Sequence, residues 1–177
     1  NKKDYFEIAE ENNAGDFSKV LDWTNDIMNR EDQDMNYLKE RIYKDTNPRF
    51  NQALKLWTER KPIFIYPDFK ASELNASYSP VKDEKYGGVL LFNSYPDRYG
   101  RTVYTSLNKD VVSHETGHAM LDILRPDIYK EPRYQTQAIH ESFGHLTCLF
   151  YHLSVVENRF KVLKETKGDL SVTSFLT

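Results

Sequence analysis

The run Val111-Val112-Ser113-His114-Glu115-Thr116-Gly117-His118-Ala119 constrains this chain more than any other stretch. In a strand, two residues four apart are about 13 Å from each other. On an α-helix they are neighbours on one face, about 6 Å apart. His114 and His118 can therefore grip one ion only if the segment is helical. Glu115 lies beside them on that surface, within reach of a water on the ion. Zinc-dependent hydrolysis needs this grouping, with neutral imidazoles to hold the metal and a carboxylate to take a proton from the activated water. The competing reading is a solvated helix with two incidental histidines. With five histidines in the chain, random placement produces the pattern at a rate on the order of one percent.

A helix carrying such a site must be interior, and composition allows it. The 177 residues are 39% hydrophobic and 14% aromatic, enough for the core of one ordinary domain with a small appended segment. A net charge of −3 and the lack of a basic stripe exclude a nucleic-acid partner. The longest mostly apolar run, Leu146 to Val156, is short and broken by His152, so no membrane span is expected. Cys148 is the single cysteine, which rules out an internal disulfide or a multi-cysteine zinc site and makes a small core residue its expected role. The opening Asn1-Lys2-Lys3-Asp4 has neither an initiator Met nor a signal peptide, which implies a trimmed or processed chain and leaves its compartment unassigned.

Residues 1 to about 60 read as helical and charged. Phe17, Val20, Leu21, Thr24 and Met28 keep helical spacing behind a cap at Asp16 or Ser18. Asp32 to Tyr43 is expected as a second helix. Asn47-Pro48 opens another, with Phe50, Ala53, Leu54 and Trp57 as its buried stripe. Strands are expected at Pro62 to Pro67, Val89 to Phe92 and Thr102 to Tyr104, separated by the turn residues Gly87-Gly88, Tyr95-Pro96-Asp97 and Tyr99-Gly100. Asn108 is the natural cap of the histidine helix, which Arg125-Pro126 stops. An exposed loop from Pro126 to Arg133 should lead into a second apolar helix from Gln135 through Leu153, followed by a charged helical tail and a turn at Gly168.

A catalytic zinc takes a third protein ligand. Leu121 and Leu124 occupy the positions where one peptidase class carries its Gly and third His, so that class is excluded. His140, Glu141, His145 and His152 on the second helix remain. Glu141 and His145 share a face, His140 points about 100° away, and His152 is about 16 Å further along the axis. Residue geometry thus leaves Glu141 or His145. The carboxylate is favoured because it neutralises part of the cation's charge. For His140 and His152 the simpler expectation is a hydrogen-bonded histidine at a helix surface or contact.

Asp110 through Ala119, with Asp122 four residues after His118, resembles the active-site helix of the thermolysin-like metallopeptidases, the gluzincins. Ala138-Ile139-His140-Glu141-Ser142-Phe143-Gly144-His145-Leu146 is similar to their second zinc helix, an Ala-Ile-Asn-Glu-x-x-x-Asp pattern. Asn75-Ala76-Ser77-Tyr78 looks like their substrate-binding edge strand, and the likeness covers about residues 47 to 156. The resemblance implies Zn2+ on His114, His118 and Glu141 with Glu115 as general base. It also implies Asp122, His140 and His145 in supporting positions, and substrate along Asn75, Ala76 and Tyr78. His145 and His140 replace the family's Asp and Asn, which removes a charge behind the ligands. The family's downstream oxyanion-stabilising His has no counterpart after Val156, which implies that a local group such as Tyr129, Arg133 or Tyr134 meets the oxyanion, that the chain is a fragment, or that the activity is weak. Asn75-Ala76-Ser77 is also a glycosylation sequon; a glycan there would block the cleft, so the sequon reads as incidental.

The expected fold is α+β, a zincin-like domain over 47–177 with a small mixed sheet, an active-site helix and a second zinc-ligand helix, preceded by a helical segment over 1–46. The expected function is a zinc peptidase acting on peptides or proteins, with specificity set around Phe92, Leu121 and Tyr129. Secretion is compatible with the resemblance. The alternatives are a zinc-binding domain that does not cleave, a metal-dependent hydrolase of non-peptide substrates, and a metal-free helical interaction module.

Overall fold

A computed structural model describes residues 6–8, 16–43, 47–81, 83–130, 133–169 and 171. The protein is α+β, with a small mixed sheet and helices packed on it. The sheet is built from β1 (Phe6–Ile8), β2 (Ile63–Lys70), β3 (Ala76–Pro80), β4 (Gly88–Pro96) and β5 (Thr102–Tyr104). Its order is β1-β2-β4-β3, and β5 pairs with the far end of β4. The β1–β2 and β2–β4 pairings are parallel, whereas β3 and β5 run antiparallel to β4. Buried and half-buried residues alternate along β2 and β4, so Ile63, Ile65, Leu90 and Phe92 all face the helical layer.

Two expectations in this region change. Residues 6–8 are strand rather than helix, because Phe6 and Ile8 add a parallel edge to β2 and Phe6 is buried there. Strand β2 does not stop at Pro67. It continues to Lys70 across an irregularity between Tyr66 and Phe69, where the proline cannot donate to the ladder.

Helix α1 (Ser18–Leu38) is continuous through the point where a second helix was expected at Asp32, and it ends in a wider turn over Lys39–Tyr43. Its N-cap position is Phe17 rather than the expected Asp16 or Ser18, and Asp16, one residue earlier, accepts from the backbone N–H and the hydroxyl of Ser18. Helix α2 (Pro48–Thr58) begins as expected, with Asn47 Oδ1 accepting from the N–H groups of Arg49 and Phe50. Only Trp57 of its apolar stripe is fully buried. Its indole N–H donates to Asp32 of α1 at 2.7 Å, and Arg60 stacks on its ring while pairing with the same carboxylate. The core is shared across the expected boundary at residue 46: Phe6, Val20, Ile27 and Met28 lie in one cluster with Ile65, Leu90, Phe92, Val112 and Ala119. Burying each such side chain contributes about 1.5–3 kcal/mol.

Helix α3 (Lys109–Leu124) is packed by α1, α5 and β3, and no residue from Val111 to Leu124 is exposed. Its buried hydroxyls are satisfied within the helix, Thr116 donating to the Val112 carbonyl and Ser113 to that of Lys109. The segment expected as a loop after Pro126 is a short exposed helix, α4 (Pro126–Lys130), with the proline at its first position. Helices α5 (Tyr134–Ser154) and α6 (Val156–Thr166) follow, and Gly168 turns the chain with a left-handed φ of 85°. Among the described residues, no helix is long and apolar enough to cross a membrane.

Candidate metal centre

The local sequence sets α3 in place first. Asn108 Oδ1 accepts from the N–H groups of Asp110 and Val111, and Asp110 adds a carboxylate to the positive first turn. Helix α5 then lies antiparallel against α3 at unusually close range. A Cβ on Gly117 would fall 2.7 Å from Thr147 Oγ1 and 3.0 Å from the Gly144 Cα, and one on Gly144 would fall 2.8 Å from the His114 ring. Two side chains reduced to hydrogen let the backbones approach until groups on both helices meet.

What meets is His114, Glu115 and His118 from α3 with Glu141 from α5. The two imidazole rings are 4.7 Å apart and nearly perpendicular. Glu141 reaches both, with Oε2 3.3 Å from His114 Nε2 and Oε1 3.8 Å from His118 Nε2. Ligating atoms of His114, Glu115 and His118 lie within 4.8 Å of one another. An ion with four ligands at about 2.0–2.2 Å holds them about 3.3–3.6 Å apart, close to the 3.3 and 3.8 Å that separate the Glu141 oxygens from the two imidazole nitrogens, and imidazole and carboxylate are donors that a divalent metal accepts. Burial pushes the imidazoles toward the neutral form that a metal needs, His118 down to about 4, with the His114 ring adding to the effect. His114 is lowered by burial and then by His145. Glu115, only 8% exposed, is pushed up to about 7 by burial and then by the Glu141 charge, against the pull of the Tyr78 backbone N–H that it accepts. A bound cation would reverse the sign of that local field.

The groups behind this quartet differ from expectation. Asp122 does not reach His118; its Oδ2 accepts from the Tyr78 hydroxyl at 2.8 Å, and His118 Nδ1 is buried with no hydrogen-bond partner among the described residues. His145 is exposed, its ring 4.7 Å from that of His114, and it lines a smaller adjoining pocket with Asp110 and Cys148. His140 is not a hydrogen-bonded surface histidine. It is buried between the Tyr129 and His118 rings, 5.0 and 5.5 Å away, with neither ring nitrogen partnered among the described residues. His152 does form the expected contact, Nε2 to Asp110 Oδ1 at 2.5 Å. Cys148 is free and half-buried rather than a core residue.

A cleft of about 500 Å³ opens over the quartet, bounded on one side by residues 75–78 and on the other by Tyr129, Gln137, His140 and Glu141. Strand β3 is a sheet edge there. Asn93 N–H bonds the Asn75 carbonyl on the β4 side, so in the alternating antiparallel ladder the backbone groups of Ala76 and Tyr78 face outward to the cleft. The Ala76 N–H is taken by Asn75 Oδ1. Tyr78 contributes its backbone only, because its ring is buried against Tyr129 and its hydroxyl holds Asp122. Phe92 and Leu121 are buried in the core and do not line the cleft, whereas Tyr129 does. Tyr134, 90% exposed, and Arg133 are not among the lining residues. Gln137 was not anticipated, although its place one turn before Glu141 on α5 puts it on the same face.

No known protein family's profile, no curated protein and no solved structure matches this chain.

Proposed function

We propose that this protein is a zincin-like, zinc-dependent peptidase that hydrolyses internal bonds of peptides or proteins. The observation that carries the reading is the Glu141 carboxylate facing both imidazoles, next to a buried Glu115 and an open strand edge. Zinc held by His114, His118 and Glu141 supplies the Lewis acidity that lowers the pKa of a water. Glu115, oriented by the Tyr78 N–H, accepts the proton and returns it to the leaving amine. An extended substrate adds to β3 as a further strand, with the outward Ala76 carbonyl accepting a substrate N–H. The Tyr129 hydroxyl, which donates to the Tyr78 carbonyl over a long 3.4 Å contact and also meets the Ser79 side chain, is the local donor for the developing oxyanion.

The unpartnered Nδ1 of His118 favours a second reading, a zinc domain that does not cleave, because an unoriented ligand holds its ion less tightly. Zinc content and cleavage of a mixed peptide pool, with and without chelator, separate the two. The peptidase reading expects chelator-sensitive cleavage, full zinc without turnover in Glu115→Gln, and loss of zinc in Glu141→Ala. A fully zinc-loaded protein that cleaves no peptide overturns it.

A further inference from the structure

The seam between α3 and α5 gathers a second set of metal-ligating side chains beyond the first. Asp110 stands in the first turn of α3, and Cys148 and His152 are one turn apart on α5. Because the two helices run antiparallel, these positions coincide at one end of the seam. The ligating atoms of all three lie within 4.8 Å of one another. Asp110 and His152 are already in contact at 2.5 Å. The Cys148 thiol is free and half-buried, and it hydrogen-bonds Ser113. The nearby Lys109 ammonium lies over the Tyr151 ring, 4.4 Å from its centroid.

We propose that Asp110, Cys148 and His152 form a second divalent-cation site, a thiolate–imidazole–carboxylate set suited to Zn2+ or Co2+ with solvent completing the shell. Softness argues for these ions: the thiolate and imidazole select against Mg2+ and Ca2+, which want oxygen alone. Charge agrees, since one thiolate and one carboxylate neutralise a divalent ion. Geometry agrees too. Four-coordinate ligand atoms stand about 3.3–3.8 Å apart, so the Asp110–His152 pair opens by about 1 Å, and Cys148, no more than 4.8 Å from either, is already near that range. The exposed Asp110 side chain accommodates that shift by rotation. Binding releases the thiol proton to solvent, so affinity rises with pH. The same triad as a cysteine nucleophile is disfavoured, because burial and the Asp110 charge push the thiol up whereas a nucleophile needs it lowered. The ion would join the first turn of α3 to the last turns of α5, independently of the quartet beneath the cleft.

Cobalt titration of the metal-free full chain tests this. Only a thiolate ligand produces the near-ultraviolet sulfur-to-cobalt charge-transfer band, and the quartet contains no sulfur. The expected result is the band in the wild type, its loss in Cys148→Ser with one cobalt still bound, and its retention in the His114→Ala/His118→Ala double variant. Zn2+ should also slow Cys148 alkylation by iodoacetamide at least tenfold, with that protection lost in His152→Ala. No band at saturating cobalt with a reduced thiol overturns the site, as does a band unchanged by both Asp110→Ala and His152→Ala. Failure of the peptidase reading alone would leave the band intact.

Discussion

The His114 ring rests on Gly144, so close that a Cβ at position 144 would come within 2.8 Å of its Cε1. The obstructed atoms belong to a ring proposed as a metal ligand rather than to a flexible chain end. Gly144→Ala should therefore raise intrinsic helix propensity by about 1 kcal/mol yet displace the imidazole. The expected outcome is a folded protein whose zinc affinity falls by about 10–100-fold, read by competition against a chromophoric chelator. Unchanged affinity would show that the ring can turn aside without cost.

In the metal-free protein, Glu115 should set the pH dependence of stability. Its carboxyl goes from a usual 4.5 to about 7 on folding, so between those values the folded state holds the proton more tightly. Stability from this group is present below pH 4.5 and is lost as pH rises through 7, by up to about 3 kcal/mol. His118 acts at the other side. Its folded value of about 4 lies below the usual 6.5, so stability is lost as pH falls through that window. Chelated Glu115→Gln should exceed the chelated wild type by about 2–3 kcal/mol at pH 8 and match it near pH 4.5. Denaturant midpoints at the two pH values provide the check.

Removing the Tyr78 hydroxyl should leave the half-buried Asp122 carboxylate without its 2.8 Å donor. Burial already raises that carboxyl, and the Tyr78 bond opposes the rise. Tyr78→Phe is expected to cost about 1.5–3 kcal/mol and to raise Asp122 further. Because Glu115 takes the Tyr78 backbone N–H, zinc binding should survive. Urea unfolding and carboxyl NMR titration measure the two effects.

Asp32 receives both the Trp57 indole and the Arg60 guanidinium, and the Arg60 side chain is only 2% exposed. Asp32→Ala removes the carboxylate that pairs with Arg60 while its contact to the Trp57 carbonyl stays, at a cost of about 1.5–3 kcal/mol. Since α1 shares the core with the sheet, the loss should appear as one lowered transition, coincident by Trp fluorescence and far-ultraviolet circular dichroism. Separate transitions would mean that residues before 47 fold as an appendage.

Spacing along one helix is legible in sequence, because 3.6 residues per turn is a local property. That is why His114, Glu115 and His118 can be grouped from the sequence alone, and why Asn108 and Asn47 can be placed as caps. A short apolar run after Gly87-Gly88 likewise reveals the centre of β4, and Thr102 to Tyr104 reads correctly as a strand. The strand at Phe6 to Ile8 was not legible: three residues carry no period, and their pairing partner is more than fifty residues away in β2.

What lies between helices belongs to the tertiary structure. Glu141 and His145 share a face of α5, and only the closeness of α3 and α5 at Gly117 and Gly144 decides which of them meets both imidazoles. The same packing turns the Tyr78 hydroxyl to Asp122, leaves His118 Nδ1 unpartnered, buries His140, and draws Asp110 to Cys148 and His152. The sequence by itself determined the local histidine pair, the caps and most of the strands, since those follow from local backbone geometry. Which groups face each other across a seam depends on interaxial distance, which arises only when two surfaces exclude water from between them.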